Sequence, residues 1–225
     1  MIIITIDGPS GVGKGTIAFY IVEKFKYNYL NSGSIYRSIA HIANTNSIPL
    51  DDTEKLINIG ESIIFNVNLS SHDADIVYKD EIINKHIFNE EIAKIASKIS
   101  SNKDLRKSLV SIQRSFAKEP GLIAEGRDMG NVIFPNADIK FFMNANNKTR
   151  AKRRFNQLKE GGFNVSLTQL IDELNARDKR DLTRKVSPLV IPKDAILIET
   201  DNKTINEVRK EVINHIENKI YERKF

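Results

Sequence analysis

The chain has 225 residues, of which 40% are hydrophobic and 28% are charged, which is typical of one globular domain with room for a small inserted subdomain. Lysine and arginine outnumber aspartate and glutamate by 34 to 29, a mild excess that suits a polyanionic ligand as well as a nucleic-acid surface. The absence of cysteine excludes disulfides and thiolate metal sites, and no stretch approaches the roughly 20 apolar residues of a membrane span, so we expect a cytoplasmic protein.

Short apolar runs alternate with amphipathic segments along the chain. Strands are predicted where β-branched or aromatic runs are bounded by turn residues, at 2–6, 27–33, 121–128, 138–145 and 195–201. Helices are predicted where apolar residues recur on one face, at 14–25, 34–43, 90–100, 103–117, 148–160, 166–181 and 204–220. Strands that alternate with helices indicate an α/β fold with a parallel sheet.

Residues 55–88 differ from this alternation. The segment at 65–69 alternates apolar with polar residues, residues 70–73 look like a turn, and 75–79 is suited to pair with 65–69 as a hairpin. We therefore predict a small, half-exposed antiparallel patch that is inserted into the parallel fold.

The segment GPSGVGK at 8–14 fits the phosphate-binding pattern G-x-x-x-x-G-K and lies between the first strand and the first helix. Glycines let successive N–H groups point at phosphate oxygens, the helix presents its positive dipole end, and Lys14 adds a point charge. An ordinary glycine-rich turn is the alternative, but the strand–loop–helix context favours phosphate binding. Gly15 stands where serine or threonine normally reaches magnesium, so Thr16 is the expected metal contact. The predicted loop residues are Gly8, Pro9, Ser10, Gly11, Val12, Gly13, Lys14, Gly15 and Thr16.

Three further segments extend this pattern over essentially the whole chain. LNSGSIYR at 30–37, GLIAEGRDMGNVIFPNA at 121–137 and ARDKRDLTRKVSPL at 176–189 resemble segments of bacterial cytidylate kinases, in the same order and at similar spacing. The chain departs from that family at Asn31 and Glu125, where aspartate is usual. Neither departure removes a required charge from the core motifs, so neither changes the class.

The resemblance implies an adenylate-kinase-like fold, a five-stranded parallel sheet flanked by helices, with ATP as phosphoryl donor, Mg²⁺ as cofactor and CMP or dCMP as acceptor. It implies one P-loop kinase domain over residues 1–225 and a monomer. Within that domain we expect a nucleoside-monophosphate-binding region at about 32–118, which includes the insertion at 60–98. A short helical lid is expected at about 150–185, where Gly161 and Gly162 allow a mobile connection.

The resemblance also assigns roles to single residues. Four match pyrimidine contacts: Ser32, Arg106, Asp128 and Arg184. Three match ribose contacts: Arg177, Asp181 and Ser97. Arg37 and Arg127 match the grip on the monophosphate, while Arg150 and Arg154, four residues apart on one helix face, are expected at ATP. Lys14, Arg127, Arg184 and Arg154 form the expected catalytic group. Arg153 and Arg180 turn away from their neighbours, so a solvated charge and a functional role both remain open for them.

Base choice follows from donor and acceptor chemistry. A carboxylate accepts from the exocyclic amino group of cytosine, and an arginine donates to its N3 and O2 atoms. Uracil offers the O4 acceptor where Asp128 needs a donor, so uracil is expected to bind less well. An ion pair between Asp128 and Arg127, or another basic group, is the structural alternative.

Three other functions use parts of the same pattern. A GTPase-type switch should carry Asp-x-x-Gly and Asn-Lys-x-Asp, yet in this sequence no glycine has aspartate three residues before it. An RNA-binding module would need an aromatic-rich strand, whereas the basic residues here accompany phosphate-handling motifs, so we expect no nucleic-acid partner. A UMP/CMP or adenylate kinase is disfavoured by the insertion and the GRDMG turn.

Overall fold

The computed structural model of the chain describes residues 1–68, 73–160 and 165–222. Within these ranges the strands are β1 (Ile2–Asp7), β2 (Asn28–Asn31), β3 (Ile64–Asn68), β4 (Asp73–Tyr78), β5 (Glu81–Ile82), β6 (Gly121–Gly126), β7 (Ile139–Asn144) and β8 (Ile196–Glu199). The helices are α1 (Lys14–Phe25), α2 (Ser32–Thr45), α3 (Thr53–Ser62), α4 (Asn84–Ile87), α5 (Glu90–Ile99), α6 (Lys103–Arg114), α7 (Asn147–Glu160), α8 (Leu167–Thr183) and α9 (Ile205–Glu222). A π-helical turn, Met129–Ile133, follows β6.

The predicted α/β fold is confirmed. Five parallel strands form the main sheet in the order β2-β6-β1-β7-β8, and the remaining three form an antiparallel sheet in the order β3-β4-β5. The central strand β1 leads into the glycine-rich loop, while its neighbour β6 leads into the Gly-Arg-Asp turn. Because parallel strands end at one edge of a sheet, both turns lie at the edge where such folds bind ligands.

Alternate residues of the main sheet bury on opposite faces. Ile4, Ile6 and Ile123 belong to a core with α1 and α9. Leu30, Leu122 and Ala124 belong to a second core with α2, α3, α5 and α6. The sheet is thus covered on both sides, which explains why its strands are almost continuously apolar in sequence.

The insertion contains more structure than the sequence indicated. The predicted hairpin is present as β3 and β4, in which Ile64 pairs with Val77 and Phe65 with Ile76, but β5 and helix α3 were not predicted. Helix α3 begins at a side-chain cap, where Asp52 accepts from the Lys55 amide at 3.2 Å. The predicted turn at 70–73 falls mainly on residues outside the described ranges.

Helix α2 begins two residues earlier than predicted. The segment predicted as a strand at 27–33 ends its strand at Asn31, so residues 32–33 are the first residues of the helix. The Asn31 side chain accepts a hydrogen bond from the Ser34 amide at 3.1 Å. Asn31, one of the two departures from the family pattern, therefore still provides the side-chain oxygen that a helix cap requires.

None of the helices in the described ranges is both long enough and apolar enough to cross a lipid bilayer.

Two adjacent residues of the edge strand β8 provide a stability test of this architecture. Ile198 is fully buried in the core with α9, whereas Leu197 is 52% exposed. We expect Ile198→Ala to lower the free energy of unfolding by about 2–5 kcal/mol, because it leaves a cavity, and Leu197→Ala to change it by less than about 1 kcal/mol. Urea denaturation of both variants checks this, and equal losses would contradict the described packing of β8.

Candidate active site

The glycine-rich loop after β1 has the backbone of a phosphate cradle. Gly13 has a φ of 96° and caps α1, and Gly8 has a φ of 148°. A Cβ on Gly8 would lie 2.1 Å from the Met143 carbonyl oxygen of β7, so no larger residue fits there. The loop is therefore held close to the sheet edge, with the N-terminal end of α1 behind it.

Lys14 is buried at the start of α1 and lies across this loop. Its Nζ donates to the carbonyl oxygens of Gly8 at 3.0 Å and Pro9 at 2.8 Å. Burial and the nearby charge of Arg127 hold the pKa of Lys14 well below its usual value, while the Glu125 carboxylate acts in the opposite direction. An anion in the loop would stabilise the protonated amine that burial disfavours.

A cavity of about 440 Å³ opens beside Lys14 and contains most of the predicted site. From the phosphate loop it is lined by Ser10, Gly11, Gly13, Lys14, Gly15 and Thr16. The residues predicted at the acceptor nucleotide also line it, namely Ser32, Arg37, Ser97, Arg106, Arg127, Asp128, Arg177, Asp181 and Arg184. The structure thus joins residues of five helices and of the turns after two strands in one space.

Buried arginines crowd one part of this cavity. Burial, followed by the charges of Arg127 and Arg37, lowers the pKa of Arg177 to about 9. Burial also lowers the pKa of Arg37 to about 10, against the opposing effect of Glu90. Neighbouring cations that lower one another's pKa generate a positive potential in the cavity. Such a potential favours a strongly anionic ligand.

Asp181 on α8 partly compensates this charge. Its carboxylate accepts from Arg127 Nε at 2.9 Å, and the Arg127 Nη1 donates to the Gly126 carbonyl at 3.2 Å. Burial by itself would raise the pKa of Asp181, but the charges of Arg127 and Arg177 outweigh it and hold that pKa below its usual value. The pair fixes Arg127 at the end of β6.

A second carboxylate, Asp128, forms an ion pair with a basic group other than Arg127. Its Oδ2 accepts a hydrogen bond from Arg106, whereas Arg127 pairs with Asp181. The other oxygen, Oδ1, lies 3.9 Å from Arg184 Nη2, which is too long for a hydrogen bond. One carboxylate oxygen is therefore fixed by a buried cation, and the other is left for a ligand.

Several buried polar atoms of this cavity lack a hydrogen-bond partner. Among the described residues, side-chain atoms without one include Ser34 Oγ, Tyr36 Oη, Arg177 Nε and Arg184 Nη2, and all four residues line the cavity. Unsatisfied buried polar groups are costly, so their concentration here indicates a polar ligand that completes them.

Arg150 and Arg153 hold the phosphate loop from α7. Arg150 donates from Nη1 to the Ser10 carbonyl at 2.9 Å and from Nε to the Ala145 carbonyl at 3.0 Å, and it pairs with Asp178. Arg153, whose role the sequence left open, donates to Thr200 Oγ1 at 3.0 Å and to the Val12 carbonyl at 3.4 Å. The contacts with Ser10 and Val12 hold carbonyl oxygens of the loop. The loop amides are therefore free to face a ligand.

Arg154 does not line the first cavity and pairs with a residue of α5. Its Nη2 contacts the Glu90 carboxylate of α5 at 2.7 Å. Its side chain also lines a second cavity, of about 460 Å³, on the far side of the phosphate loop. This second cavity is lined as well by Gly11, Val12, Gly13, Thr16, Arg153, Gln157, Thr200, Lys203 and Thr204. The loop therefore separates two spaces that share Gly11, Gly13 and Thr16.

Sequence reasoning did not identify every side chain of this region. Glu125, noted only as a departure from the family pattern, lines the first cavity and accepts a hydrogen bond from Tyr29. Gln113, within the predicted helix, accepts a hydrogen bond from Ser32 at 2.7 Å. A sequence signal existed for Gln113, since it lies seven residues after Arg106 and thus on the same helix face.

Comparisons with known proteins agree with this geometry. Residues 4–218 match the family model described as cytidylate kinase. Relatives named cytidylate kinase from Colwellia psychrerythraea and Shewanella piezotolerans are each 41% identical, with 94% and 95% of this chain and 94% of each relative covered. A solved gluconokinase from Sinorhizobium meliloti shares the fold with a TM-score of 0.50 and 13% identity, covering 100% of this chain and 98% of the other.

Inorganic tripolyphosphate tests whether the loop binds phosphate. We expect Lys14→Ala to raise the Kd for tripolyphosphate by roughly 10–100-fold, because a charged hydrogen bond contributes about 1.5–3 kcal/mol. The exposed Lys210→Ala of α9 has the same change in net charge and serves as the control. Titration calorimetry measures both, and an equal affinity of the two variants would rule out phosphate binding at Lys14.

Proposed function

The chain belongs to the cytidylate kinase family, as its motifs predicted, and we propose that it transfers the γ-phosphoryl group of ATP to CMP or dCMP, giving ADP and CDP or dCDP. The observation that carries this proposal is the cavity that joins the phosphate loop, a cluster of buried arginines and the half-paired carboxylate of Asp128. These three features match a nucleoside monophosphate beside a second phosphate chain.

The acceptor phosphate is assigned to the arginine cluster. Arg37 and Arg127 hold it, because their buried charges lie beside Lys14 and Arg177 without enough carboxylate to balance them. Arg177, Asp181 and Ser97 line the same cavity, and we assign them to the ribose. The phosphate supplies the negative charge that this region lacks.

Cytosine is assigned to the pocket around Asp128. Oδ1 of Asp128 accepts from the exocyclic amino group, and Arg184 donates its unpartnered Nη2 to a ring acceptor. Arg106 orients the carboxylate through their buried ion pair. Ser32 provides a further polar contact.

Transfer itself needs positioning and charge stabilisation more than covalent chemistry. The loop amides and Lys14 hold the donor phosphates, and the second cavity beyond the loop takes the rest of ATP. The acceptor is already a phosphate anion, so no catalytic base is required. Arg127 and Arg184 line the first cavity, and Arg154 lines the second cavity from α7. Together with Lys14 they neutralise charge on the transferring group, while Arg150 acts on ATP through the loop that it holds.

Magnesium fits the donor set at the loop. Thr16 and Glu125 both line the cavity and offer hydroxyl and carboxylate oxygens, the ligands that Mg²⁺ prefers. Within the described ranges, no group of three or more His, Cys, Asp or Glu could hold a metal by itself. Thr16, with Glu125 nearby, would therefore hold the ion together with nucleotide phosphates. When bound, Mg²⁺ would neutralise negative charge on the phosphates.

We further assign the regions of this single domain, residues 1–225, to separate tasks. Residues of about 32–118, including the insertion at 60–98, bind the monophosphate, and residues of about 150–185 act as a lid. The expected glycine turn at 161–162 lies outside the described residues. The family resemblance favours a monomer, and the use of ATP favours a cytoplasmic location.

Acceptor preference and metal dependence are tested in one assay of ADP release. With CMP, dCMP, UMP, AMP and GMP as acceptors, we expect CMP and dCMP to be phosphorylated fastest. UMP should be at least about tenfold slower, because unmatched buried acceptors cost about 1–3 kcal/mol. Comparable rates with AMP or GMP would refute the proposed acceptor.

Metal dependence is tested in the same assay. Excess EDTA should abolish turnover, and added Mg²⁺ should restore it. Full activity in EDTA would refute the requirement for the metal.

Contacts between the lid and the monophosphate-binding region are weak enough to open. Arg154–Glu90 and Lys94–Glu173 are partly exposed ion pairs at 2.7 Å and 3.1 Å, and Arg180 donates to Ser97 Oγ at 3.2 Å. Exposed pairs of this kind contribute only about 0.2–1 kcal/mol each.

Hydrogen exchange tests this mobility. We expect amides of α7 and α8 to exchange rapidly without ligand and to become protected with a bisubstrate analogue, since bound phosphates would draw the lid arginines inward. The buried strand β6 is the internal control and should be protected in both states. Equal exchange of α7 and α8 with and without the analogue would show that no lid closes here.

A further inference from the structure

Gln113 of α6 is almost completely buried, at 1% exposure, although the reaction makes no direct use of it. We propose that Gln113 fixes the direction of the Ser32 hydroxyl and thereby makes the base pocket select cytosine over uracil. This inference rests on the proposed function, because it concerns the pocket assigned above to the pyrimidine. Gln113 acts through Ser32 and is a positioning residue.

The hydrogen bonds of Gln113 determine which way its amide faces. Its Nε2 donates to the Leu109 carbonyl oxygen at 3.2 Å, which is a contact that only the NH₂ end of the amide makes favourably. The Oε1 end therefore points to Ser32, and the two oxygens, Oγ and Oε1, are 2.7 Å apart. An amide oxygen has no proton, so the proton in this contact must come from Ser32.

The hydrogen bond to Gln113 leaves the Ser32 hydroxyl able only to accept a hydrogen bond from a ligand in the cavity. A serine hydroxyl has a single proton and two lone pairs, and here the proton is directed to Gln113. Ser32 itself is only 5% exposed and lines the cavity, so its remaining capacity is that of an acceptor. Without Gln113 the hydroxyl could rotate and donate its proton to a ligand instead.

This polarity matches that of Asp128. Arg106 and Gln113 lie on the same face of α6, and each engages one acceptor group of the pocket, Asp128 and Ser32 respectively. The pocket therefore presents two acceptors, which suits the exocyclic NH₂ of cytosine and repels the O4 of uracil. A carboxylate only accepts hydrogen bonds, whereas a serine hydroxyl can also donate one, and Gln113 prevents Ser32 from donating to the ligand.

A purely structural role for Gln113 is disfavoured by its surroundings. Its neighbours on the buried face of α6 include Leu105 and Leu109, and both belong to the hydrophobic core. An apolar side chain would complete that core without the cost of burying an amide. The amide does, however, supply an acceptor that no apolar side chain could offer to Ser32.

The test compares kcat/KM for CMP and for UMP in Gln113→Leu, which removes the acceptor. We expect the CMP-to-UMP ratio to fall about tenfold, mainly through a gain with UMP, because a freed hydroxyl can donate to O4. Gln113→Glu is the matched control, since a carboxyl group still accepts the Ser32 proton, and it should retain the wild-type ratio. Gln113→Met, with an unbranched side chain of similar length, repeats the test should Gln113→Leu lose its cooperative thermal unfolding.

A double-mutant cycle separates the proposed action from general repacking. In a Ser32→Ala background, Gln113→Leu should leave the CMP-to-UMP ratio unchanged, because there is no hydroxyl to direct. An unchanged ratio in the single variants, or the same fall in the Ser32→Ala background, overturns the inference. A wild-type enzyme that uses CMP and UMP equally also overturns it while leaving phosphoryl transfer intact. A wild-type enzyme that phosphorylates neither refutes the proposed function itself.

Discussion

Buried positive charge that exceeds the nearby negative charge is the constraint on which this site depends. The charge of Arg127 lowers the pKa values of Lys14, Arg37 and Arg177, in addition to the effect of burial. Asp181 balances part of this charge by pairing with Arg127. Repulsion of this kind destabilises the ligand-free protein locally, and a phosphate relieves it, so part of the stabilisation gained on binding comes from the protein's own charges.

The surrounding scaffold must hold these charges in place against their repulsion. Asp7 at the end of β1 accepts the amides of Met129 and Gly130 at 2.9 Å and 2.8 Å, which ties the turn after β6 to the central strand. Burial raises the pKa of Asp7 to about 6, although these two amides oppose the shift. Arg150 and Arg153 hold the loop carbonyls from the other side. The two turns that carry Lys14 and Arg127 are thereby fixed relative to each other.

The sequence predicted the sheet, its strand positions and many of the residues that line the main cavity, because strands and phosphate loops have strong local signals. It did not predict helix α3, whose buried positions are few, or β5, whose two residues carry no period. Helical spacing placed Arg150 and Arg154 on one face of α7, yet Arg150 reaches the loop and Arg154 reaches α5. Periodicity gives the direction of a side chain on its helix, and the neighbouring elements decide what it contacts.

The two functions of the cavity, gripping a phosphate and choosing a base, place opposite demands on its polar groups. Phosphate binding gains most from cations such as Arg177, which are left short of partners until the ligand arrives. Base selection needs groups that are already paired, because an unpaired hydroxyl would adapt to either pyrimidine. Arg106 and Gln113 provide that pairing for Asp128 and Ser32. Helix α6 makes no hydrogen bond to Arg37 or Arg127 among the described residues. Arg106 and Gln113, which orient the groups of the base pocket, therefore lie on a different element from the phosphate arginines.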